Sequence, residues 1–393
     1  MIKKGLILSL VFLSISCQHF RSDKASTLEA LSEKLSVKET DLKVNPFWVV
    51  DTLKKENVGF RKVNRFSPVL YKDLIVVGNG LEGLVAYDLY EKNVVWSIDI
   101  DQGVEAAGTV INSRLFVGGL NGIFYSIDLD TAKIIWQFDT KSEIVSEPLI
   151  QDGLVYFISG ANILYCLDAT TGRQIWVYNR QDTSTLMTVR GGSKPSHSEG
   201  KIYEGFSDGS LVSLDAKTGT PQWEVLLNRN TKFKDIDASP VIDGDTLYIN
   251  SYDDKLYAVS KSTGSILWKS NFGGSNAPLL FGDKLVYTTS RGQLMVVNKS
   301  NGEMIWKVEN LKGIATEPIV HKGLIAIGES QGRILFFDAL TGQQRGAFDP
   351  GRGILSRPTS DKIKRVYFIS GEANLYGISL DTIYENVNFP FLQ

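Results

Sequence analysis

Short runs of apolar residues recur along most of this chain, and turns rich in Gly, Asn and Asp separate them. Each repeat has four such segments: a short one led by a small or polar residue and usually Pro, one of the type LYxxS, one of the type LYALD, and one that carries Trp after a Thr-Gly turn. Runs of this length that alternate apolar with small residues are typical of β-strands. The first segment starts eight times, at Pro68, Thr109, Pro148, Pro195, Pro240, Pro278, Pro318 and Pro358. The spacing of about 41 residues is that of one propeller blade. The pattern therefore predicts an all-β, eight-bladed β-propeller with four-stranded antiparallel blades.

The tryptophan positions indicate how the ring closes. Six tryptophans fall in predicted fourth strands: Trp96, Trp136, Trp176, Trp223, Trp268 and Trp306. The eighth repeat ends after its third strand, near Leu380, and the remaining tryptophan, Trp48, precedes the first repeat. We therefore predict that the N-terminal segment around Trp48 supplies the fourth strand of blade eight, because a propeller pairs its two chain ends to leave no gap in the ring.

The first residues have the pattern of an export signal. Lys3 and Lys4 precede an apolar run that is too short to span a bilayer. The run ends in Ser-Ile-Ser before Cys17, which resembles the lipobox of bacterial lipoproteins, although Ser14 stands where that motif usually has Leu. The resemblance implies that Cys17 carries the acyl chains. We expect a signal peptide over residues 1–16, a lipidated tether over 17–45 and the propeller over 46–393. A plain secretory signal with a chance cysteine is the alternative.

Composition and candidate chemistry narrow the function. The net charge of −2 offers no basic excess for nucleic acid. Cys166, the second of two cysteines, lies in a predicted third strand, where a buried, inert thiol is expected. The three histidines lack the spacing of metal ligands. Glu147 and Glu317 stand beside the Pro that opens a blade, where a solvated or strand-edge role is the default. We expect neither a catalytic residue nor a bound cofactor or metal.

The repeat strongly resembles the pyrroloquinoline-quinone-like propeller repeat. Within that group, the lipoprotein signal and eight compact blades resemble the BamB family, lipoprotein subunits of the machine that folds β-barrels into the bacterial outer membrane. The resemblance implies a non-catalytic scaffold that binds BamA, the barrel-bearing subunit, together with other subunits of the machine, and that aids folding and insertion of outer-membrane β-barrels. It also implies an outer-membrane lipoprotein that faces the periplasm and that offers blade edges to nascent barrel proteins.

Two stretches carry the closer resemblance. Residues 186–195 are similar to an apolar-x-apolar-Arg-Gly-x-Ser-x-Pro stretch of BamB, which implies that Met187, Val189 and Arg190 contact BamA. Met and Val replace the usual leucines here. The Asp-x-Asp of Asp235 and Asp237 before Pro240 is similar to a second BamA-binding stretch. Apolar residues beside a positioned Arg are also the residue types of a binding hot spot. The alternative is that the apolar pair packs under the loop and Arg190 merely joins adjacent blades through these carboxylates.

Two other functions remain open at this point. One is a membrane-attached quinoprotein dehydrogenase, the second branch of the same repeat group. Such enzymes typically need a vicinal cysteine pair, a catalytic Asp and a Ca²⁺ site near the axis, and this sequence has no Cys-Cys. The other is a lipoprotein of this fold that serves a different periplasmic partner.

Overall fold

A computed structural model describes residues 42–53, 65–180, 192–230, 233–361 and 363–382. These residues form 32 β-strands, and among them there is no helix of the length and hydropathy that crossing a membrane requires. The chain divides into two compact units, and the larger one, residues 44–380, holds the propeller. Of the other unit, residues 1–43 and 381–393, only the four residues at the ends of the first and last strands are described.

The strands group into eight sheets of four. Counted from the axis outward, the strands of blades one to four are β2 (Val69–Tyr71), β3 (Leu74–Asn79), β4 (Gly83–Asp88) and β5 (Val94–Asp99); β6 (Thr109–Ile111), β7 (Arg114–Gly118), β8 (Ile123–Asp128) and β9 (Lys133–Asp139); β10 (Leu149–Gln151), β11 (Leu154–Ile158), β12 (Ile163–Asp168) and β13 (Gln174–Asn179); β14 (Ser196–Ser198), β15 (Lys201–Gly205), β16 (Ser210–Asp215) and β17 (Pro221–Leu226). Those of blades five to eight are β18 (Val241–Asp243), β19 (Thr246–Ser251), β20 (Lys255–Ser260) and β21 (Ile266–Lys269); β22 (Leu279–Phe281), β23 (Lys284–Thr288), β24 (Leu294–Asn298) and β25 (Met304–Val308); β26 (Ile319–His321), β27 (Leu324–Gly328), β28 (Ile334–Asp338) and β29 (Gln344–Phe348); β30 (Thr359–Ser360), β31 (Arg365–Ile369), β32 (Asn374–Thr382) and β1 (Leu42–Asp51).

Blade eight confirms the predicted closure. Its strand order is β1-β32-β31-β30, so the N-terminal strand is the outermost strand of the last blade. Trp48 in β1 is 5% exposed, and its ring meets that of Tyr87 in blade one edge-on, with centroids 5.9 Å apart. Just beyond β1, the hydroxyl of Thr52 donates to the carbonyl of Ala373 at 2.6 Å. One buried apolar cluster therefore joins the first, second and last blades, and the all-β, eight-bladed prediction is confirmed.

The middle strands of each blade are apolar on both faces because each face meets a neighbouring blade. In β11 and β12, for example, four of the five and four of the six residues are buried. The outermost strands alternate instead between exposed and half-buried residues, since only one face meets the next blade. A strand that faces a neighbouring blade on both sides is a continuous apolar run, which explains the apolar second and third segments of each sequence repeat.

The fourth-strand tryptophans join neighbouring blades. Trp136 Nε1 donates to the carbonyl of Ala169 in blade three at 3.1 Å. Gly172, in the Thr-Gly turn of that blade, lies against the indole: a Cβ there would come within 2.5 Å of Trp136 Cε3. Asp168 fixes this turn by accepting the backbone N–H of Thr171 at 2.7 Å. The same Trp–Gly contact recurs for the pairs Trp176–Gly219, Trp223–Gly264, Trp268–Gly302 and Trp306–Gly342.

Candidate partner-binding site

Three long connections begin and end on one face of the propeller; their residues 54–64, 181–191 and 231–232 lie outside the described part of the chain. Each joins an outermost strand to the innermost strand of the next blade, and antiparallel pairing places all such connections at the same end of the blades. The connections 52–68, 180–195 and 227–240 have 17, 16 and 14 residues, whereas the other four-to-one connections have nine or ten. Long connections on a rigid scaffold are where binding residues concentrate. The two predicted binding stretches lie in the second and third of these connections.

The predicted contact residues Met187, Val189 and Arg190 lie outside the described residues. The residues that flank them are described. Before them, Arg180 reaches across to blade four, where its guanidinium pairs with Asp208 at 2.6 Å and with Glu224 at 2.9 Å. The carbonyl of Arg180 accepts a hydrogen bond from Asn162 Nδ2 at 3.1 Å. Arg180 thus ties the end of blade three to blade four.

After the undescribed stretch, the chain is fixed again at Ser193 and Lys194. The hydroxyl of Ser193, which is buried, donates to the carboxyl group of Glu204 in β15. The backbone N–H of Lys194 donates to Ser239 Oγ at 2.8 Å, which joins this connection to the next one. Lys194 Nζ donates to Glu147 Oε1 at 2.5 Å.

The Asp-x-Asp stretch is largely enclosed. Asp235 is 0% exposed and Asp237 is half-buried, while Ile236 between them packs under Gly205 of blade four. Burial and the neighbouring Asp235 raise the pKa of Asp237 to about 8, and Arg65 from the connection 52–68 opposes that shift. The structure therefore brings Asp237 together with Arg65, a residue that the sequence did not single out.

Glu204 is a second perturbed acid beneath this face. It is 0% exposed, and one of its carboxyl oxygens, Oε2, has no hydrogen-bond partner among the described residues. Burial raises the pKa of Glu204 well above its usual range, the Ser193 hydrogen bond opposes the rise, and the charge of Asp237 adds to it. Burial therefore favours the protonated form of Glu204, and the hydrogen bond from Ser193 fixes this residue at the end of the undescribed stretch.

Four charged side chains cross the axial cavity, which measures about 670 Å³. Arg357 of blade eight pairs with Glu317 of blade seven at 2.9 Å and, across the axis, with Glu147 of blade three at 3.0 Å. Lys194 holds the other oxygen of Glu147. Burial alone would raise the pKa of Glu147, but Arg357 and Lys194 lower it below its usual range. The expectation of solvated or strand-edge roles for Glu147 and Glu317 was wrong, because these residues face the axis rather than the outer surface.

A sequence signal for this network exists. All four residues occupy the position directly before the Pro that opens a blade, and they carry opposite charges: Glu147, Lys194, Glu317 and Arg357. Blades one, two, five and six have small residues there, namely Ser67, Gly108, Ser239 and Ala277. Inner-strand positions converge on the axis of a propeller, so this alternation of charge indicates pairing across the ring.

The remaining candidate chemical groups are placed in the fold. Cys166 is 0% exposed, and burial raises the pKa of its thiol to about 12, so the thiolate is scarce at neutral pH. His321 is buried and its Nδ1 lies 2.7 Å from Ser360 Oγ. Within the described ranges, no group of three or more His, Cys, Asp or Glu side chains is arranged to hold a metal ion.

The chain is similar to known proteins over most of its length. The sequence profile of the family described as outer membrane protein assembly factor BamB matches residues 81–308. The outer membrane protein assembly factor BamB of Shewanella oneidensis is 25% identical over 323 residues, which are 76% of this chain and 81% of that protein. The BamB of Kangiella koreensis is 38% identical over 217 residues, 53% of this chain and 55% of that protein.

Solved structures share the fold. The crystal structure of BamB from Moraxella catarrhalis superposes with a TM-score of 0.74 at 20% identity and covers 86% of this chain and 100% of that one. A quinohemoprotein alcohol dehydrogenase from Pseudomonas putida superposes with a TM-score of 0.71 at 13% identity, over 87% of this chain and 77% of that one. At these identities the structures demonstrate a common propeller fold and nothing more.

Proposed function

This chain belongs to the family of the outer membrane protein assembly factor BamB, and from that membership we propose that it is a non-catalytic scaffold subunit of the β-barrel assembly machine. In this role it binds BamA and other subunits and aids the folding and insertion of outer-membrane β-barrel proteins. The observation that carries the proposal is the family match over residues 81–308, which runs from the turn before β4 of blade one to the last strand of blade six, with no insertion between strands longer than the connections described above.

The proposed BamA-binding surface is the face that carries the long connections. Met187, Val189 and Arg190 supply its direct contacts, by carry-over from the family. Asp235 is fully buried and therefore acts from beneath by positioning the connection, while the half-buried Asp237 lies at the edge of the cavity beside Arg65. The anchoring of Arg180 and Ser193 on blade four supports the proposal, because a binding segment on a rigid base loses less conformational entropy on association.

Capture of BamA tests the surface. Purified full-length chain is expected to retain full-length BamA in detergent, and Arg190→Glu is expected to abolish retention, since it reverses the charge of the proposed contact. Arg173→Glu is the matched control: it reverses an exposed arginine on the turn between β12 and β13, at the opposite end of blade three. Unchanged retention by Arg190→Glu would remove the assigned residues from the interface.

We further propose that acyl chains on Cys17 anchor the protein in the outer membrane with the propeller in the periplasm. Cys17 lies outside the described residues, and the support is its lipobox-like context and the family. Gln18 after the cysteine is not the Asp that commonly retains lipoproteins at the inner membrane. Stable anchoring by acyl chains takes two or more of them, which lipoproteins carry. Radiolabelled palmitate should be incorporated by the native chain and not by Cys17→Ala; equal labelling of both would refute the assignment.

The outer edges of the blades are the proposed site for nascent barrel strands. Twelve of the eighteen exposed large apolar side chains in the described part of the chain lie on outermost strands: Val49, Val94, Val95, Ile134, Ile135, Ile175, Val177, Leu226, Ile266, Leu267, Met304 and Ile305. Soluble proteins usually protect exposed strand edges with charge. Apolar side chains beside an open backbone edge instead suit an extended amphipathic strand that adds to the sheet.

The dehydrogenase alternative finds less support. Its structural relatives share the fold at 13% identity. The axis does not fit a quinone with its Ca²⁺: the Arg357–Glu147 ion pair spans the cavity, and the described residues offer no metal-ligand group. A purified sample that takes up pyrroloquinoline quinone with Ca²⁺ and reduces a dye with an alcohol would overturn the scaffold proposal.

A further inference from the structure

The connection 227–240 presents one large apolar side chain to solvent, that of Phe233. Phe233 is 44% exposed, and its φ of 51° lies in the left-handed region. Fourteen non-glycine residues of the described chain have positive φ, and Phe233 is the one aromatic residue among them; the others are polar, charged or Ala. A bulky residue in this region is strained, and such strain persists where the surroundings impose it, often at binding sites.

Neighbouring contacts impose the conformation. Asn228 is 0% exposed, and its Nδ2 donates to the carbonyl of Phe233 at 3.1 Å. The backbone N–H of Asn228 donates to the carbonyl of Gly209 in the turn of blade four at 3.2 Å. On the other side, Ile236 is buried, and its N–H donates to the carbonyl of Phe206 at 3.2 Å. Both sides of Phe233 are thus fixed on blade four, while its ring belongs to none of the apolar clusters of the described residues.

The burial of the Asp-x-Asp stretch changes which residue of this connection a partner meets. Asp235 has no exposed surface, whereas Phe233, two residues earlier, has a large apolar one. The same connection carries two basic residues close to Phe233 in the chain: Arg229, which is exposed, and Lys234, which is half-buried. An exposed aromatic residue on a connection with basic side chains complements an apolar pocket that has carboxylates at its rim.

We infer that Phe233 is the apolar contact residue of this connection, that it inserts into an apolar, acid-rimmed pocket on the partner, and that Asp235 positions it from below. The inference rests on the proposed function, since the partner is taken to be BamA. It adds to that function a contact residue and the chemistry of the pocket that receives it.

Binding of full-length BamA in detergent to immobilised full-length chain tests the inference. Phe233→Gly is the main variant, because Gly removes the ring and also relieves the positive φ. We expect Kd to rise about tenfold or more, as for a hot-spot aromatic, while the Tm of the variant rises above that of the wild type. If the ring had only a structural role, its removal would instead lower the Tm. Phe233→Leu keeps an apolar contact and is expected to stay within about threefold of wild-type Kd.

Leu340→Gly is the matched control. Leu340 is 68% exposed and lies on the turn between β28 and β29, at the end of blade seven opposite to the long connections. The Kd of this control variant for BamA should stay within about twofold of the wild-type value. Arg229→Glu should slow association with BamA at low salt. If the wild-type chain binds BamA and Phe233→Gly binds it with the same Kd, the inference is overturned and the proposed function stands. Failure of the wild-type chain to bind BamA would overturn the proposed function, and the inference with it.

Discussion

The contact between a turn glycine and the tryptophan of the preceding blade can be tested at Gly172. Gly172 has φ of 71°, and a Cβ there would lie 2.5 Å from Trp136 Cε3 and 2.6 Å from Cδ2. Real Cβ atoms do not approach that closely, so the indole or the turn of blade three has to move. The change Gly172→Ala therefore adds a packing cost to the cost of placing Ala in the left-handed region.

Gly153→Ala separates the two costs. Gly153 lies in the same blade with φ of 77°, and nothing lies within 4 Å of the position of its Cβ. Both variants lose about 1–2 kcal/mol through the left-handed conformation. Gly172→Ala loses in addition about 1–3 kcal/mol through overpacking against Trp136. We expect the free energy of unfolding to fall by about 1–2 kcal/mol for Gly153→Ala and by about 2–5 kcal/mol for Gly172→Ala.

Urea unfolding followed by tryptophan fluorescence and by circular dichroism measures both values. Coincident transitions justify a two-state free energy, and an unchanged m-value shows that the variant alters stability rather than the unfolded state. If the losses in the free energy of unfolding for Gly172→Ala and Gly153→Ala agreed within about 0.5 kcal/mol, the Gly172–Trp136 contact would be refuted as a source of inter-blade stability. The second matched pair, Gly219→Ala and Gly200→Ala, has φ of 69° and 74° and the same contrast, with Trp176 at 2.7 Å in one case and open space in the other.

Two further predictions concern the buried charges. Arg357→Met leaves Glu317 without its cation and Glu147 with Lys194 alone. Because a third of the Arg357 side chain faces the cavity, we expect the free energy of unfolding in urea to fall by about 1–3 kcal/mol. The exposed pair broken by Arg352→Met should cost less than about 1 kcal/mol, and equal losses would contradict a stabilising role for the cross-axis network. Glu204 has a folded-state pKa above its unfolded value, so its ionisation opposes folding increasingly as pH rises above about 4.3, the unperturbed value. Glu204→Gln should therefore gain in Tm over wild type between pH 5 and pH 8 and not at pH 4, whereas Glu303→Gln at an exposed site should follow wild type throughout. Parallel wild-type and Glu204→Gln profiles would refute a raised pKa of Glu204 in the folded state.

The sequence predicted the blades well because their signals are local and repeated. Blade starts and turns recur at an average spacing of about 41 residues, and six successive blades carry a fourth-strand Trp, so the missing fourth strand of blade eight pointed to the segment around Trp48. The axial network was missed because it depends on which inner-strand residues meet across the ring, and Glu147 and Arg357 are 210 positions apart.

The candidate site was predicted less completely, because exposure within a connection depends on tertiary packing. Asp235 and Phe233 are two residues apart, and a sequence pattern does not reveal that one is fully buried while the other faces solvent. Arg65 was missed for a related reason. It approaches Asp237 only because the connection that follows the closing strand β1 reaches the same cavity.

The most direct test of the central proposal is the binding of BamA to the full-length chain, measured with purified proteins in detergent and without any other subunit of the machine. A scaffold of this family is expected to bind BamA saturably, to lose that binding on Arg190→Glu and to retain it on Arg173→Glu. No saturable binding by the wild-type chain, at concentrations where a known BamB binds its own BamA, would contradict the proposed function.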